Sequence, residues 1–185
     1  MTAEIMSAAE TGMNRALDNL KEAFSSVRTG RANPMMLDKI RVDYYGQATP
    51  INQLAAVKVP DAHLIVIEPW DKSILHGIEH AILASDLGIT PSSDGSVIRL
   101  PIPALTEERR RELVKDCRGF SEEARIAIRN ARRDANTKIE RGKKDSEIPE
   151  DDARRAEEQV QKLTDKYIAQ VEEMLKKKEA EVMEI

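Results

Sequence analysis

The fold is decided by one long stretch, residues 106–145, which reads TEERRRELVKDCRGFSEEARIAIRNARRDANTKIERGKKD. The stretch has no proline, and its apolar residues recur at steps of three and four, which predicts one amphipathic helix roughly 60 Å long. Thr106 is a favourable N-cap, and Glu107 and Glu108 suit the positive end of the helix dipole. The face that we expect to pack against protein carries Leu113, Cys117, Phe120, Ala124, Ile128, Ala131, Ala135 and Ile139.

A second face of the same helix carries basic side chains. Four arginines at steps of seven, four and three fall within a sector of roughly 60°, given about 100° per residue. We call these the arginine row: Arg118, Arg125, Arg129 and Arg132, with Arg111 and Lys143 on the same side. Guanidinium groups stay charged and bind phosphate with two donors at once, so the row predicts a ligand with a phosphate backbone. A solvated face paired with Glu122 and Glu140 explains the same pattern and stays open as an alternative.

Composition favours long, charge-rich helices over an aromatic core. Of 185 residues, 34% are charged and 3% are aromatic, and the net charge is −4. Residues 106–145 nevertheless carry 13 basic and 9 acidic side chains, a local charge of +4. A basic helix inside an acidic protein can bind a polyanion at one place. The aromatic residues are too scattered for base stacking, so contact with nucleic acid should depend on phosphate and shape.

Two other long helices are predicted, one before and one after residues 106–145. Residues 3–28 repeat apolar positions at helical spacing, and we expect that helix to end near Thr29 and Gly30. Pro149 suits the first turn of a third helix, whose acidic start at 150–152 is explained by the helix dipole. Helices of this length need a shared core, which an antiparallel three-helix bundle provides.

Residues 31–104 have a different pattern, which predicts a small inserted β/α/β domain. The fold class is therefore α+β: an elongated bundle, formed by residues 1–30 and 105–185, interrupted by this domain. Strands are predicted at 40–44, 57–59, 64–67 and 97–100, and turns at 45–47 and 92–95. A helix is predicted from Ser73 to Leu87, and its apolar side carries Ile74, Ile78, Ile82 and Leu83.

Two connections join the inserted domain to the bundle, and such a junction permits hinge bending. Gly30 supplies freedom on one side, and Pro101 and Pro103 restrict the other. The predicted hinge comprises Thr29, Gly30 and Arg31, together with Pro101, Pro103, Ala104 and Leu105.

Signals for other classes of protein are missing. The sequence has neither a phosphate-binding glycine loop nor a serine nucleophile elbow, so we expect no cofactor and no catalysis. His76 and His80, with Glu79, share a helical face, but their spacing differs from that of the metalloprotease motif, so we expect no metal. The lone Cys117 lies on the apolar face and should be buried. With no secretory signal and no run of about 18 apolar residues, we expect a cytoplasmic monomer that does not enter membranes.

Several strings together resemble the bacterial ribosome recycling factor family over essentially the whole chain. They are VRTGRANP (27–34), VDYYG (42–46), ASDLG (84–88), LTEERR (105–110) and AIRNARRDAN (127–136), with Asp165 near the end. The resemblance implies an L-shaped arrangement of a three-helix domain and an inserted β/α/β domain. It also implies a translation factor that binds the large ribosomal subunit near the peptidyl-transferase region. With elongation factor G and GTP, such a factor splits the ribosome, so that mRNA and tRNA leave.

The same resemblance assigns site residues. It implies contact with ribosomal RNA at Arg129, Arg132 and Arg133, and at Arg28 and Arg31 in the junction motif. Arg118 and Arg125 are added from the helical face alone. Two alternatives remain: a helical scaffold whose arginines bind an acidic protein, and an enzyme that uses a metal at His76 and His80.

Overall fold

A computed structural model describes residues 1–184 of the chain. Its α-helices are α1 (Thr2–Ser26), α2 (Leu75–Leu83), α3 (Glu107–Lys144) and α4 (Glu150–Met183). Its strands are β1 (Arg41–Tyr44), β2 (Gln47–Pro50), β3 (Ala55–Asp61), β4 (Leu64–Pro69), β5 (Ser92–Ser93) and β6 (Ile98–Pro101). Short 3-10 helices cover Pro34–Leu37, Ile51–Gln53 and Lys72–Ile74. None of the helices in this described part has both the length and the apolar character of a membrane span.

The chain divides into two compact units. One contains Met1–Thr29 and Thr106–Ile185, and the other contains Gly30–Leu105. The boundaries expected from sequence, after residues 30 and 104, each lie one residue from these. The α+β class and the insertion of a β-rich unit between α1 and α3 agree with the prediction.

The first unit is an antiparallel bundle of α1, α3 and α4. Near one end, Ile5 of α1 shares a cluster with Ile139 of α3 and Ala153 of α4. Further along, Phe24 shares a second cluster with Cys117 and Val171. Because the start of α1 meets the end of α3 and the start of α4, α3 runs opposite to both neighbours. The predicted apolar faces are confirmed, although Phe120 and Ala131 are only partly buried.

The ends of α3 follow from local chemistry. Thr106 Oγ1 accepts a hydrogen bond from the Arg109 amide at 3.2 Å, which confirms the predicted N-cap. At the other end, the Gly142 carbonyl accepts from the amides of Glu147 at 2.8 Å and Ile148 at 3.0 Å. Ser146 takes a φ of 58° in that turn. The chain therefore reverses tightly into α4, whose first turn carries the expected acidic residues.

The prediction for the end of α1 was wrong by a few residues. The helix stops at Ser26, and Val27 is already extended with φ −77° and ψ 112°. The β-branched Val27 and Thr29 favour extended backbone over helix. Gly30 does take the left-handed conformation, with φ 73°, but it lies beyond the helix end. Its conformation therefore shapes the connection and does not terminate the helix.

The inserted unit holds a four-stranded antiparallel sheet with the order β3-β4-β6-β5 and a separate β1-β2 hairpin. Its core contains Ile65, Ile67 and Leu100 from the sheet and Ile78 from α2. Strand β2 was missed, because Gln47–Pro50 has no apolar alternation. A two-residue turn with φ of 51° at Tyr45 and 81° at Gly46 forms the hairpin instead. Ser92–Ser93, predicted as part of a turn, pairs with β6.

Helix α2 is shorter than predicted. A 3-10 turn precedes it, and Asp71, not Ser73, caps that turn by accepting from the Ser73 amide. The helix ends at Leu83, where Ser85 Oγ bonds back to the Ile82 carbonyl at 2.6 Å and so competes with further helix. Leu83 is exposed and does not belong to the core, which corrects the prediction for its apolar side.

The two ends of the inserted unit are held by the turn between β3 and β4. The Ala32 amide donates to the Ala62 carbonyl, and the Ile102 amide donates to the His63 carbonyl, both at 2.7 Å. A Cβ added to Gly30 would lie 2.9 Å from Leu105 Cγ, and the φ of 73° strains any residue with a Cβ, so the position favours glycine. The entering and leaving segments therefore lie side by side.

Candidate nucleic-acid interface

The arginine row lies on the flank of α3 that faces α4. Arg118 Nε bonds Glu179 Oε1 at 2.6 Å, and Arg125 bonds Glu172 through Nη1. Arg132 Nη1 reaches only the side-chain oxygen of Gln161, at 3.4 Å. Three members of the row therefore contact α4, but they do so through different chemistry.

Arg125 is largely enclosed, with its side chain 17% exposed, against 66% for Arg118 and 47% for Arg129. Besides Glu172, it bonds Glu122 Oε2 through Nε at 2.9 Å. Burial by itself lowers the pKa of this guanidinium, but the hydrogen bonds and charges of Glu122 and Glu172 outweigh burial and raise its pKa. Two carboxylates thus surround Arg125, which leaves little of its charge for an external anion.

Arg129 is only weakly compensated. Its Nη1 lies 3.4 Å from Glu122 Oε1. The same carboxylate accepts a shorter hydrogen bond, of 2.9 Å, from Arg125 Nε. The hydrogen bond from Arg125 is the main reason that the pKa of Glu122 is lowered. Arg129 therefore keeps much of its charge for a partner in solution.

Arg132 and Arg133 have no carboxylate partner in residues 1–184. Gln161, which accepts from Arg132, donates its own Nε2 to Asp165 Oδ1 at 2.8 Å. Arg133 is exposed on the outer side of α3, and only its backbone carbonyl is engaged, by Thr137 Oγ1 at 2.9 Å. Positive charge is thus least compensated at the Arg129–Arg133 end of the row.

The remaining predicted site residues lie elsewhere. Arg111 and Lys143, at the two ends of the row, pair with Glu107 at 2.5 Å and Glu150 at 3.3 Å. Arg28 follows the end of α1, and Arg31 is exposed in the inserted unit. Within the bundle, the structure therefore assembles Arg129, Arg132 and Arg133 on about one turn of α3.

One predicted hinge residue, Pro101, lies within regular structure. Pro101 is the last residue of β6 and pairs with Leu64, so it belongs to the sheet. Proline is tolerated there because it stands at the end of the strand. Pro103, Ala104 and Leu105 follow outside regular structure, and Thr29, Gly30 and Arg31 do so on the entering side.

Sequence reasoning missed Gln161, which contacts Arg132. A signal was present, because Asp165, Glu172 and Glu179 are spaced by seven residues, as Arg118, Arg125 and Arg132 are on α3. Pairing the two series required knowing the register of two antiparallel helices. That register follows from packing and not from periodicity.

Two other groups of side chains were considered in the sequence: His76 and His80 with Glu79, and Cys117. His76 is 95% exposed, and its Nδ1 lies 3.3 Å from Glu79 Oε2. Across residues 1–184, no group of three His, Cys, Asp or Glu side chains could hold a metal ion. Cys117 is buried, as predicted, and burial raises the pKa of its thiol.

Comparison with known proteins identifies the class of molecule that carries this surface. The model of the ribosome recycling factor family matches residues 20–183. The chain belongs to the ribosome recycling factor family. The ribosome-recycling factor of Desulforamulus reducens is 54% identical, and that of Clostridioides difficile is 53% identical, each over 185 residues covering all of both chains.

Solved structures agree with this family assignment. A solution structure of a ribosome recycling factor is 41% identical with a TM-score of 0.75, and the match covers 100% of this chain and 98% of that one. A second match is 42% identical with a TM-score of 0.62 and covers 99% of both chains. It comes from models for the T. thermophilus ribosome recycling factor and the E. coli elongation factor G bound to the E. coli post-termination complex. The resemblance seen in the sequence, and with it the role of translation factor in ribosome recycling, is confirmed.

Proposed function

We propose that this member of the ribosome recycling factor family disassembles post-termination ribosomes together with elongation factor G and GTP, so that mRNA and tRNA are released. Family membership over the whole chain supports this function, and a related factor has been placed with elongation factor G on a post-termination complex. The chain has no phosphate-binding loop, so GTP hydrolysis belongs to the partner. We assign this protein a mechanical role in the cytoplasm, without catalysis, a cofactor or a metal of its own.

The proposed RNA contact consists of Arg129, Arg132 and Arg133. The observation that carries it is the lack of any carboxylate partner for Arg132 and Arg133 among the described residues, whereas Arg118 and Arg125 of the same row pair with glutamates of α4. Ribosomal RNA offers rows of phosphates, and guanidinium groups bind them with charge-assisted hydrogen bonds. Arg118 and Arg125 are assigned a structural role instead, because glutamates already engage them.

Binding of large ribosomal subunits over a salt series tests this contact. Arg132→Ala should lower the affinity by about 10- to 100-fold, the loss expected for a charge-assisted hydrogen bond. The dependence of log K on log salt should become shallower by about one, since one phosphate contact is lost. Arg141→Ala is the matched control, because Arg141 lies on the same helix, 84% exposed and close to Asp145. If Arg132→Ala binds like wild type at every salt concentration, the row is only a solvated face.

We also propose that Thr29–Arg31 and Pro103–Leu105 form the hinge between the two units, and that recycling needs its motion. A disulfide engineered between the units, in a Cys117→Ala background, should leave binding to large subunits intact. Release of mRNA with elongation factor G and GTP should stop in the oxidised protein and return after reduction. Full release by a verified cross-linked form would remove hinge motion from the mechanism.

A further inference from the structure

We propose that the α4 residues opposite the arginine row determine which arginines can reach a phosphate, and that the neutral amide of Gln161 keeps Arg132 available. We call Glu172 and Glu179 masks, because each pairs with an arginine of the row and offsets its charge. Gln161 is instead a positioning residue, which holds Arg132 without neutralising it. This inference rests on the proposed contact between Arg132 and ribosomal RNA.

The geometry is a series of three rungs between antiparallel helices. Two rungs join an arginine directly to a glutamate, Arg118 to Glu179 and Arg125 to Glu172. The third rung is expected seven residues after Arg125 in α3 and seven residues before Glu172 in α4, at Arg132 and Asp165. There the pattern changes, because a glutamine stands between the two charges.

Gln161 separates the charges of the third rung. Its Nε2 donates to Asp165 Oδ1 at 2.8 Å, and its Oε1 accepts from Arg132 Nη1 at 3.4 Å. The carboxylate is thus occupied by an amide one turn away on its own helix. Arg132 therefore donates a long hydrogen bond to an uncharged oxygen, in place of an ion pair.

The difference between the rungs determines how each arginine responds to an external anion. A phosphate that approaches Arg118 is also repelled by the carboxylate of Glu179 beside it, so little net attraction is gained. At Arg132 it exchanges a long hydrogen bond to an uncharged acceptor for a shorter one to a charged acceptor, which adds the attraction between opposite charges. The α4 partners therefore confine phosphate binding to one end of a longer row of arginines.

The sharpest test is Gln161→Glu, which replaces one NH2 group by a charged oxygen at nearly constant size. The new carboxylate should pair with Arg132 as Glu172 pairs with Arg125. The affinity for large ribosomal subunits should fall by about 10-fold or more, and the salt dependence should become shallower by about one, as for Arg132→Ala. Gln161→Met, uncharged and similar in size, should lower this affinity by less than about fivefold, because only one long hydrogen bond to an uncharged acceptor is lost and no carboxylate is added. Urea unfolding of each variant checks that the bundle is intact.

The outcomes separate this inference from the proposed function. If Arg132→Ala loses binding but Gln161→Glu does not, the masking idea is overturned and the RNA contact stands. If Gln161→Met loses as much as Gln161→Glu, the loss comes from the missing amide and not from the added charge, and the masking idea is again overturned. If Arg132→Ala itself binds normally, the contact on which the inference rests is wrong. In the expected result, the double variant Arg132→Ala/Gln161→Glu binds no more weakly than Arg132→Ala alone.

A reciprocal variant tests the mask itself. Glu179→Gln removes the charge opposite Arg118, whose side chain is 66% exposed. Affinity for poly(U), a single-stranded RNA without structure, should rise, and its salt dependence should steepen by about 0.7, the increment for one added phosphate contact. Unchanged poly(U) binding by a folded Glu179→Gln protein would contradict masking at that rung.

Discussion

Arginines of one helical row have different environments because their nearest neighbours differ. Arg125 lies between Glu122 and Glu172 and is largely enclosed, whereas Arg133 faces solvent with no ion pair in the described chain. Exposed ion pairs contribute little to stability, but one that is mostly enclosed and bonded to two carboxylates contributes more. Residue type alone therefore does not define the function of these arginines.

We expect Arg125→Ala to act on stability and not on RNA binding. Removing the side chain should lower the free energy of unfolding by about 1–2 kcal/mol, because packing and two charge-assisted bonds are lost. The salt dependence of binding to large subunits should stay as in wild type. Urea unfolding and subunit binding measure the two effects. A variant of normal stability whose binding is as weak as that of Arg132→Ala would place Arg125 in the RNA contact.

At the scale of the element, α3 contains two glycines that respond differently to the same substitution. A Cβ on Gly142 would lie 2.5 Å from Ile148 Cδ1 and 2.9 Å from its Cγ1, and Ile148 is buried. Nothing lies within 4 Å of a Cβ on Gly119. Alanine is favoured over glycine in a helix by about 1 kcal/mol, so only the surroundings differ.

We expect Gly119→Ala to stabilise the protein by up to about 1 kcal/mol through helix propensity. Gly142→Ala should be less stable than Gly119→Ala by about 1–3 kcal/mol, the cost of overpacking where α3 turns into α4. Urea unfolding at one pH measures both variants. An equal gain in the free energy of unfolding from both substitutions would mean that Ile148 can move away from the new methyl group without loss of stability. The turn would then be loosely packed.

The hairpin of β5 and β6 depends on Asp94. Hydrogen bonds from the amides of Val97 and Ser96, and then from Arg99, lower the pKa of this carboxyl from 3.8 to about 2. Because the pKa is lower in the folded state, the stabilisation is fully present above the unfolded pKa. It is lost as the pH falls from about 4 to about 2.

The stability difference between wild type and Asp94→Asn should therefore be greatest near neutral pH and shrink over that acidic window. Unfolding of the full chain at several pH values measures it, and carbon NMR of the Asp94 carboxyl checks the pKa directly. A difference that stays constant from neutral pH down to 2 would show that the charge of Asp94 is not what holds the turn.

At the scale of the whole molecule, the two units keep separate cores. The cluster around Ile65, Ile78 and Leu100 lies wholly within Gly30–Leu105, and both bundle clusters lie wholly outside it. A unit with its own core can fold by itself, even when its chain is discontinuous. The inserted unit is therefore an added body and not a part of the bundle core.

We expect a protein in which a flexible Gly/Ser linker replaces Gly30–Leu105 to fold as a three-helix bundle. It should keep most of its affinity for large ribosomal subunits, because the proposed RNA contact is intact, and it should fail to release mRNA with elongation factor G and GTP. Circular dichroism, subunit binding and an mRNA-release assay measure the three properties. An unfolded bundle would mean that the inserted unit supplies essential packing, and normal release would remove its mechanical role.

Much of this architecture was determined by the sequence itself. The long helices follow from apolar residues at steps of three and four, because that spacing places them on one side of a helix and water drives that side inward. Thr106 and the acidic first turn of α4 mark helix starts through local hydrogen bonding and the helix dipole. The strings that resemble the family are also short stretches of consecutive residues. The fold class, the insertion and the arginine row could therefore all be predicted from the sequence.

Other features depended on tertiary contacts. Strand β2 exists because Tyr45 and Gly46 turn the chain back onto β1, although its own residues show no strand pattern. The helix α2 ends early because of a single serine, and Pro101 became part of a strand when Leu64 was placed beside it. Above all, the difference between Arg125 and Arg132 arises from the register of α3 against α4. That register places a glutamate opposite one arginine and a glutamine opposite the other, and it is set by packing between residues far apart in the chain.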